Sequence, residues 1–357
     1  MAIEQAIDHF LSSTCEWLRG TGPESDIVMS SRTRLARNMT GYLFSGRMDV
    51  AAQQQMIEDV AKAVASVPFL KNAYFFNYKS LKDLDRQFLL ERHLISREHA
   101  TEKGEKALVV TQNEVVSIMV LEEDHLRIQV FQSGLNLVEA WRLIDKIDSA
   151  LESKLLYAFD PSLGYLTACP TNLGTGFRSS CMLHLVGLMM TKQVDKVLQA
   201  LSKLNFAARG FFGEGTQASG NFFQFSNQLT LGQSEVDIVD GLERVMKQII
   251  EHEKEARNYL LEKRRAKLED QIWRAVGALK SARLMSSAEA SGLLSLMRLG
   301  IDLGMIKNLS KTNLNALFLF TQPAHLQKLS ASMLKAVERD QKRAELLRTR
   351  LKDVEVA

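Results

Sequence analysis

Cys169-Pro170-Thr171-Asn172-Leu173-Gly174-Thr175-Gly176, running into Phe177-Arg178-Ser179-Ser180-Cys181-Met182, is the stretch on which the reading of this chain turns. It closes a glycine-punctuated loop that begins at Gly164, and an apolar helix is expected to follow from about Phe177 to Met190. Gly174 and Gly176 would let the backbone come close to a ligand. Arg178 would then stand at the positive end of that helix, where anions bind. No lysine follows the glycines, so the run is not a P-loop. Cys169 lies beside Pro170 and Thr171, and a Thr hydroxyl with backbone amides nearby favours a thiolate. The plain alternative is a half-buried, inert cysteine, the commoner situation.

Moving upstream, Leu135–Leu156 carries apolar residues at helical spacing. Before it, Ala107–Thr111 and Val115–Leu121 read as a hairpin, and Leu126, Ile128 and Val130 as a third strand. Between those strands stands Glu122-Glu123-Asp124-His125-Leu126-Arg127. Alternation would place Glu123, His125 and Arg127 on one side, with a carboxylate facing a positive site, although three acids at a turn are ordinarily just a solvated turn. Further upstream, Ile27–Ser30 leads into Ser31-Arg32-Thr33-Arg34. Period-two spacing points Arg32 and Arg34 to one face, where two forked donors suit a polyphosphate; a solvated strand edge would look the same. Downstream, Asn205–Leu231 holds two strands flanking Arg209-Gly210-Phe211-Phe212-Gly213-Glu214-Gly215, which offers an arginine and a carboxylate around a turn or forms a plain hairpin loop.

From Ser234 the character changes. Ser234-Glu235-Val236-Asp237 is a capping box that opens a long charged helix to about Lys263. Strand signals then nearly vanish, so we expect a catalytic domain over residues 1–254 and an all-α domain over 255–357. The 357 residues are 46% hydrophobic and 24% charged, the balance of a globular enzyme. A net charge of +3 gives no reason to invoke nucleic acid. Met1–Arg19 reads as a short helix and not a signal peptide, and no apolar run is long enough for a bilayer. The three cysteines (Cys15, Cys169 and Cys181) have no framework spacing and no CxxC pair, which points to reduced thiols in the cytoplasm and no protein metal site.

Together, SSRTRLAR, LEEDHLRIQ, CPTNLGTGFRSS and RGFFGE, in that order over about residues 24–250, resemble the catalytic domain of the phosphagen (guanidino) kinases. The resemblance implies an α+β domain, an antiparallel sheet flanked by helices, that uses ATP and Mg²⁺. It implies phosphate-binding arginines at Arg32, Arg34, Arg127, Arg178 and Arg209, and nucleotide contacts at Ser30, Ser31, Thr33, His93, Ser179, Ser180, Cys181, Met182, Gly210, Phe211, Phe212 and Gly213. Glu123 and Glu214 correspond to its catalytic carboxylates and Cys169 to its reactive thiol. Leu121 stands where the family usually has Asn.

Small-guanidine kinases carry a helical domain ahead of this one, whereas here Met1–Asp26 precede the first motif and a helical region follows. That order is similar to the bacterial protein-arginine kinase family (McsB type). It implies arginine side chains of proteins as acceptors, marked for Clp-type degradation or found on stress-response regulators. Arg339-Asp340-Gln341-Lys342-Arg343-Ala344 matches that family's RDxxRA phosphoarginine-binding motif, which implies an allosteric site at Arg339, Asp340, Arg343 and Ala344; a solvated basic helix is the alternative. A Clp ATPase, a zinc-binding activator protein and a second copy of the chain follow as candidate partners. A kinase for free arginine would share every catalytic residue, and a non-catalytic phosphoarginine-binding adaptor would keep only the tail.

Overall fold

A computed structural model of the chain describes residues 3–101, 104–210 and 219–356. Eight strands form one sheet: β1 (Val28–Arg37), β2 (Tyr74–Asn77), β3 (Ala107–Val110), β4 (Val116–Val120), β5 (Leu126–Ser133), β8 (Phe177–His184), β9 (Phe206–Gly210) and β10 (Phe222–Asn227). Two short strands, β6 (Phe159–Asp160) and β7 (Gly164–Tyr165), make a separate hairpin. The sheet order is β2-β3-β4-β5-β1-β8-β10-β9, and each pair is antiparallel.

Helices α1 (Ile3–Ser12), α2 (Val50–Ser66), α3 (Asp83–Glu91), α4 (Arg97–Thr101), α5 (Leu137–Glu152), α6 (Val186–Met190) and α7 (Val194–Lys203) surround it. α8 (Glu235–Lys263) opens at the expected capping box, with Ser234 Oγ accepting from Asp237 N at 3.1 Å. The tail folds as α9 (Arg265–Ser281), α10 (Ser287–Asp302), α11 (Lys311–Phe320), α12 (Pro323–Leu329) and α13 (Ala336–Arg350), with a small pairing of β11 (Ile306–Lys307) and β12 (Glu355–Val356).

Residues 177–184 overturn one expectation. They form a central strand, and only Val186–Met190 is helical. Phe177, Ser179, Cys181 and Leu183 point to one side and Arg178, Ser180 and Met182 to the other. Hydrogen-bonded partners on both edges, β1 and β10, reward that alternation over the helical spacing the apolar residues also permit.

Two faces result. One packs against α2, α5 and α8 through Leu35, Ile118, Ile128, Phe177 and Leu183. The other is covered by α1 and α3 near β2–β4, and by Trp17 and the tail helices near Phe131, Met182 and Phe222. α8 passes residue 254 without a break. Glu253 accepts from Gly187 N and Leu188 N, and Arg257 donates to His184 O, so this helix grips the end of β8.

Candidate active site

Register assembles the arginines. Arg34 lies opposite Arg178 on β8, Arg32 opposite Ser180 on β8 and Phe131 on β5, and Ala36 opposite Arg127 on β5. Ser180 pairs with Ser226, and Gln224, on the same face of β10, pairs with Arg209 on β9. Directly opposed residues share a face. Arg32, Arg34, Arg127, Arg178 and Arg209 therefore rise from one side of the sheet, drawn from four strands. Burial and the guanidinium groups of Arg127 and Arg209 push Arg32 down to about 9. Burial, then Arg32, Arg127, Arg178 and Arg209, push Arg34 well below the usual arginine value. Guanidinium does not give up its proton in a protein. The crowding is thus a standing electrostatic cost that a polyanion would relieve. Arg34 Nε is buried with no partner among the described residues.

Arg178 is braced from below. Its Nε donates to Asn172 Oδ1 at 3.1 Å and its Nη2 to Thr171 Oγ1 at 3.1 Å. Thr171 Oγ1 also shares a hydrogen bond with Cys169 Sγ at 3.0 Å. The expected helix terminus under Arg178 does not exist; side chains of the Cys169 loop replace it. The glycines of that loop also serve the protein's own packing. Gly174 (φ +102°) and Gly176 (φ +63°) allow approach to Thr230 O and Ala36 O, where a Cβ would come within 2.5 and 2.6 Å.

The three acids have three different surroundings. Glu122 is buried and accepts from Ser96 Oγ at 2.5 Å and Arg127 Nη1 at 2.8 Å. Burial alone would raise its carboxyl, but Arg127 and Ser96 more than offset this and hold it below the usual range. Asp124 accepts from Asn38 Nδ2 and from Ala168 N, each at 2.7 Å, and so ties the turn to the Cys169 loop. Glu123 alone is exposed, and it lines a cleft with Arg34, Arg127, Cys169, Thr171, Asn172, Arg178 and Arg209. Burial, then Asp124 and Glu122, raises its carboxyl above the ordinary glutamate value. The turn breaks the expected alternation: His125 does not join Glu123. Its Nδ1 accepts from Met39 N at 2.9 Å, which leaves Nε2 to donate to Leu43 O at 2.8 Å. Leu121 has φ +59°, a conformation Asn tolerates better than Leu, which accounts for the amide expected there.

Beside the cleft, a narrower recess on the same face is lined by Trp17, Ser30, Arg32, His93, Phe131, Ser180, Met182 and Gln224. His93 sits edge-on to Trp17, ring centroids 5.1 Å apart, and burial with Arg32 pushes it down to about 3, so its ring is neutral. The remaining expected nucleotide contacts fall elsewhere. Ser31 Oγ donates to Gly134 O at 2.8 Å and Thr33 Oγ1 to Ala140 O at 3.2 Å, both away from the arginines. Cys181 and Ser179 are buried on that opposite face, with Cys181 Sγ 3.6 Å from Ser31 Oγ. Gly210 closes β9, while Phe211, Phe212, Gly213 and Glu214 lie outside the described residues. Sequence reasoning missed Asn38, Glu122, Asp124, Thr171 and Asn172 as positioning groups, although all of them lie within or beside the motifs it quoted.

Residues 55–256 match the family model for the ATP:guanido phosphotransferase C-terminal catalytic domain, and residues 265–357 the protein-arginine kinase McsB C-terminal domain. A protein-arginine kinase of Symbiobacterium thermophilum is 46% identical over 338 residues, 94% of this chain and 96% of that one. One of Halalkalibacterium halodurans is 44% identical over 353 residues, 99% and 98% of the two chains. The chain belongs to the protein-arginine kinase family. Among solved structures, the duplicated taurocyamine kinase of Schistosoma mansoni with bound transition-state-analogue components superimposes with TM-score 0.59 at 26% identity, covering 66% of this chain and 34% of that longer one. Lombricine kinase shares the fold, with TM-score 0.57, 23% identity, and 69% and 70% of the two chains covered.

In this family member the tail residues Arg339, Asp340, Arg343 and Ala344 lie on α13, but they do not share an open face. Arg343 is buried: Nε donates to Thr321 O and Nη1 to Met285 O, both at 2.7 Å, and Nη1 also reaches Asp340. Ala344 is buried too. Arg339 is partly exposed and donates to Leu334 O at 2.8 Å. Of the two motif arginines, Arg343 is therefore a core residue and Arg339 a partly exposed one. Among the described residues no cluster of three or more His, Cys, Asp or Glu could hold a metal ion, and no helix is long and apolar enough to cross a membrane.

Proposed function

We infer that the chain transfers the γ-phosphoryl group of ATP to arginine side chains of proteins. The observation that carries this is Glu123, the one exposed carboxylate among the described residues of a cleft lined by Arg34, Arg127, Arg178 and Arg209, with Arg32 beside them on the same sheet face. The arginines suit a triphosphate, whose charge would offset their mutual repulsion. The Trp17–His93–Phe131 recess suits the adenine ring, because it is narrow, aromatic and carries no ionised side chain except Arg32. Mg²⁺ would arrive on the phosphates and neutralise part of their charge, since the cleft holds no dedicated ligand cluster among the described residues.

The acceptor is a guanidinium, with a pKa above about 12, so no carboxylate can deprotonate it beforehand. Glu123 would orient the planar group and take its proton as the N–P bond forms and the bond from phosphorus to the β-phosphate oxygen breaks. Cys169, held by Thr171, would place a polarisable sulfur beside the same group. Glu214 would pair with its other edge. A protein-borne arginine fits the open cleft, and the relatives at 44–46% identity are protein-arginine kinases.

In this reading the chain acts in the cytoplasm, marks proteins for a Clp-type protease or modifies stress-response regulators, and works as a dimer with a zinc-binding activator protein. Phosphoarginine would bind at the tail through Arg339, beside Asp340 and the rim of Arg343. Glu91, two residues before His93, caps α12 through Ala324 N and His325 N and offers a physical link from that corner to the nucleotide recess. The test compares ADP release with an unfolded protein and with free arginine as acceptor. A kcat/KM at least as high for free arginine would move the function to a small-guanidine kinase.

A further inference from the structure

The helical tail reaches the wall of the Trp17–His93–Phe131 recess from behind. Trp17 sits on a short helical turn, Glu16–Leu18, and the chain from Arg19 to Met29 leads from it into β1. A turn this short cannot hold its own position, so tertiary contacts must place it. Asn315, on α11, is fully buried. Its Nδ2 donates to Leu18 O at 3.1 Å, and its Oδ1 accepts from Arg298 Nη1 at 2.7 Å. A guanidinium only donates, which fixes which end of the amide faces Leu18. Arg298, buried on α10, also donates through Nη2 to Ser25 O at 2.7 Å and reaches Met29 Sδ at 3.3 Å. Thr312, three residues before Asn315, donates from Oγ1 to Arg19 O at 2.6 Å. These contacts close on residues 18–29, between Trp17 and the strand that carries Arg32.

We propose that Asn315 is a positioning residue for the nucleotide: through Leu18 it fixes the Trp17 wall, so the tail sets the hold on the base while the sheet arginines set the hold on the phosphates. This rests on the reading that the recess takes the adenine ring. A wall displaced by half an ångström to an ångström forfeits about a quarter to a half of its dispersion contact with a flat ring. The placement of that wall therefore matters more than its chemistry. Packing alone does not call for an amide on α11, where Leu314, Leu317 and Phe318 already supply apolar bulk to the core. A buried amide satisfied at both ends adds direction, which packing lacks. An amide that merely cemented the fold would affect both ends of the nucleotide alike.

The experiment titrates the full chain, by calorimetry, with ATP and with ribose 5-triphosphate, which carries the same phosphates and no base. The unaltered chain should bind ATP about tenfold or more tightly than the baseless ligand. Asn315→Asp keeps an acceptor for Arg298 and loses the donor to Leu18. It should weaken ATP about fivefold, the worth of one buried hydrogen bond, and leave ribose 5-triphosphate within about twofold. Thr312→Val, at a partly exposed position, removes the neighbouring strap to Arg19 and should move ATP the same way by a smaller factor; it carries the test should Asn315→Asp fail to fold. Unchanged ATP affinity in the folded variants would overturn the proposal. An equal loss for both ligands would make Asn315 architecture and overturn it too. Equal affinity of the unaltered chain for the two ligands would instead remove adenine from the recess, and the positioning role with it, while leaving phosphoryl transfer to protein arginine standing.

Discussion

Two regions of this molecule concentrate arginine, and they use it in opposite ways. On the sheet face, Arg32, Arg34, Arg127, Arg178 and Arg209 crowd together, and Arg34 keeps a buried Nε without a partner. On α13, Arg343 is buried in the core, and its donors go to Thr321 O, Met285 O and Asp340. A buried arginine satisfied by carbonyls is architecture. A cluster of arginines facing one another, with Arg34 Nε buried and unsatisfied among the described residues, is a place for a polyanion. Hydrogen-bond accounting separates the two where residue type does not.

The largest effect should come from the residue that belongs to neither arginine set. Glu123→Ala should lower kcat by about a hundredfold or more with ATP affinity unchanged, because the group acts on the acceptor. Steady-state kinetics with nucleotide binding by titration calorimetry would check both halves. Its raised carboxyl also predicts where activity fails in acid. Protonation sets in at a higher pH than for an ordinary glutamate, so the acid limb of kcat/KM should lie above the usual value of about 4.3. That limb should vanish in the residual activity of Glu123→Gln.

The tail arginines come next. Arg343→Ala should cost about 2–3 kcal/mol of stability by orphaning two buried carbonyls, read as a lower urea midpoint, while folded protein keeps its ATP affinity. Arg339→Ala should cost little stability and remove phosphoarginine binding. A marginal effect of Arg343→Ala on stability would break the distinction drawn here.

On the sheet face the expectation reverses. Arg178→Lys and Arg209→Lys should each weaken ATP binding by about tenfold, since lysine keeps the charge and loses the fork, with little change in the urea midpoint. Full affinity in both would mean that charge alone suffices.

How much of this was legible beforehand follows from how local each signal is. Arg32 and Arg34 share a face because of period-two spacing within β1, and that needs only neighbouring residues. The hairpin of β3 and β4, the capping box at Ser234 and the acid turn are equally local. Arg178 was misplaced because Phe177–Met190 fits both periods, and the partners that decide, β1 and β10, are remote in sequence. Ser31, Thr33, Ser179 and Cys181 travel with the motif string, but the pleat turns them toward α5. Arg343 matched a motif whose surroundings come from Met285 and Thr321, which no local reading supplies.

The smallest expected difference concerns the thiols. Cys15 and Cys181 are buried, and burial pushes Cys181 up to about 12 despite Ser31. Cys169 is half-buried in the cleft wall. Alkylation should therefore go first to Cys169, and ATP with acceptor should slow it there. Equal labelling of all three would make Cys169 an inert wall residue.

The central claim, that one sheet face and Glu123 transfer phosphate to protein arginine, has a direct measurement. The chain is incubated with ATP and a mixture of unfolded proteins, digested at alkaline pH to preserve N–P bonds, and mapped by mass spectrometry. The account predicts phosphate on arginine, absent with Glu123→Ala. With free arginine added to the same mixture, phosphate confined to the free amino acid, or none on any protein while ATP binds normally, would contradict it.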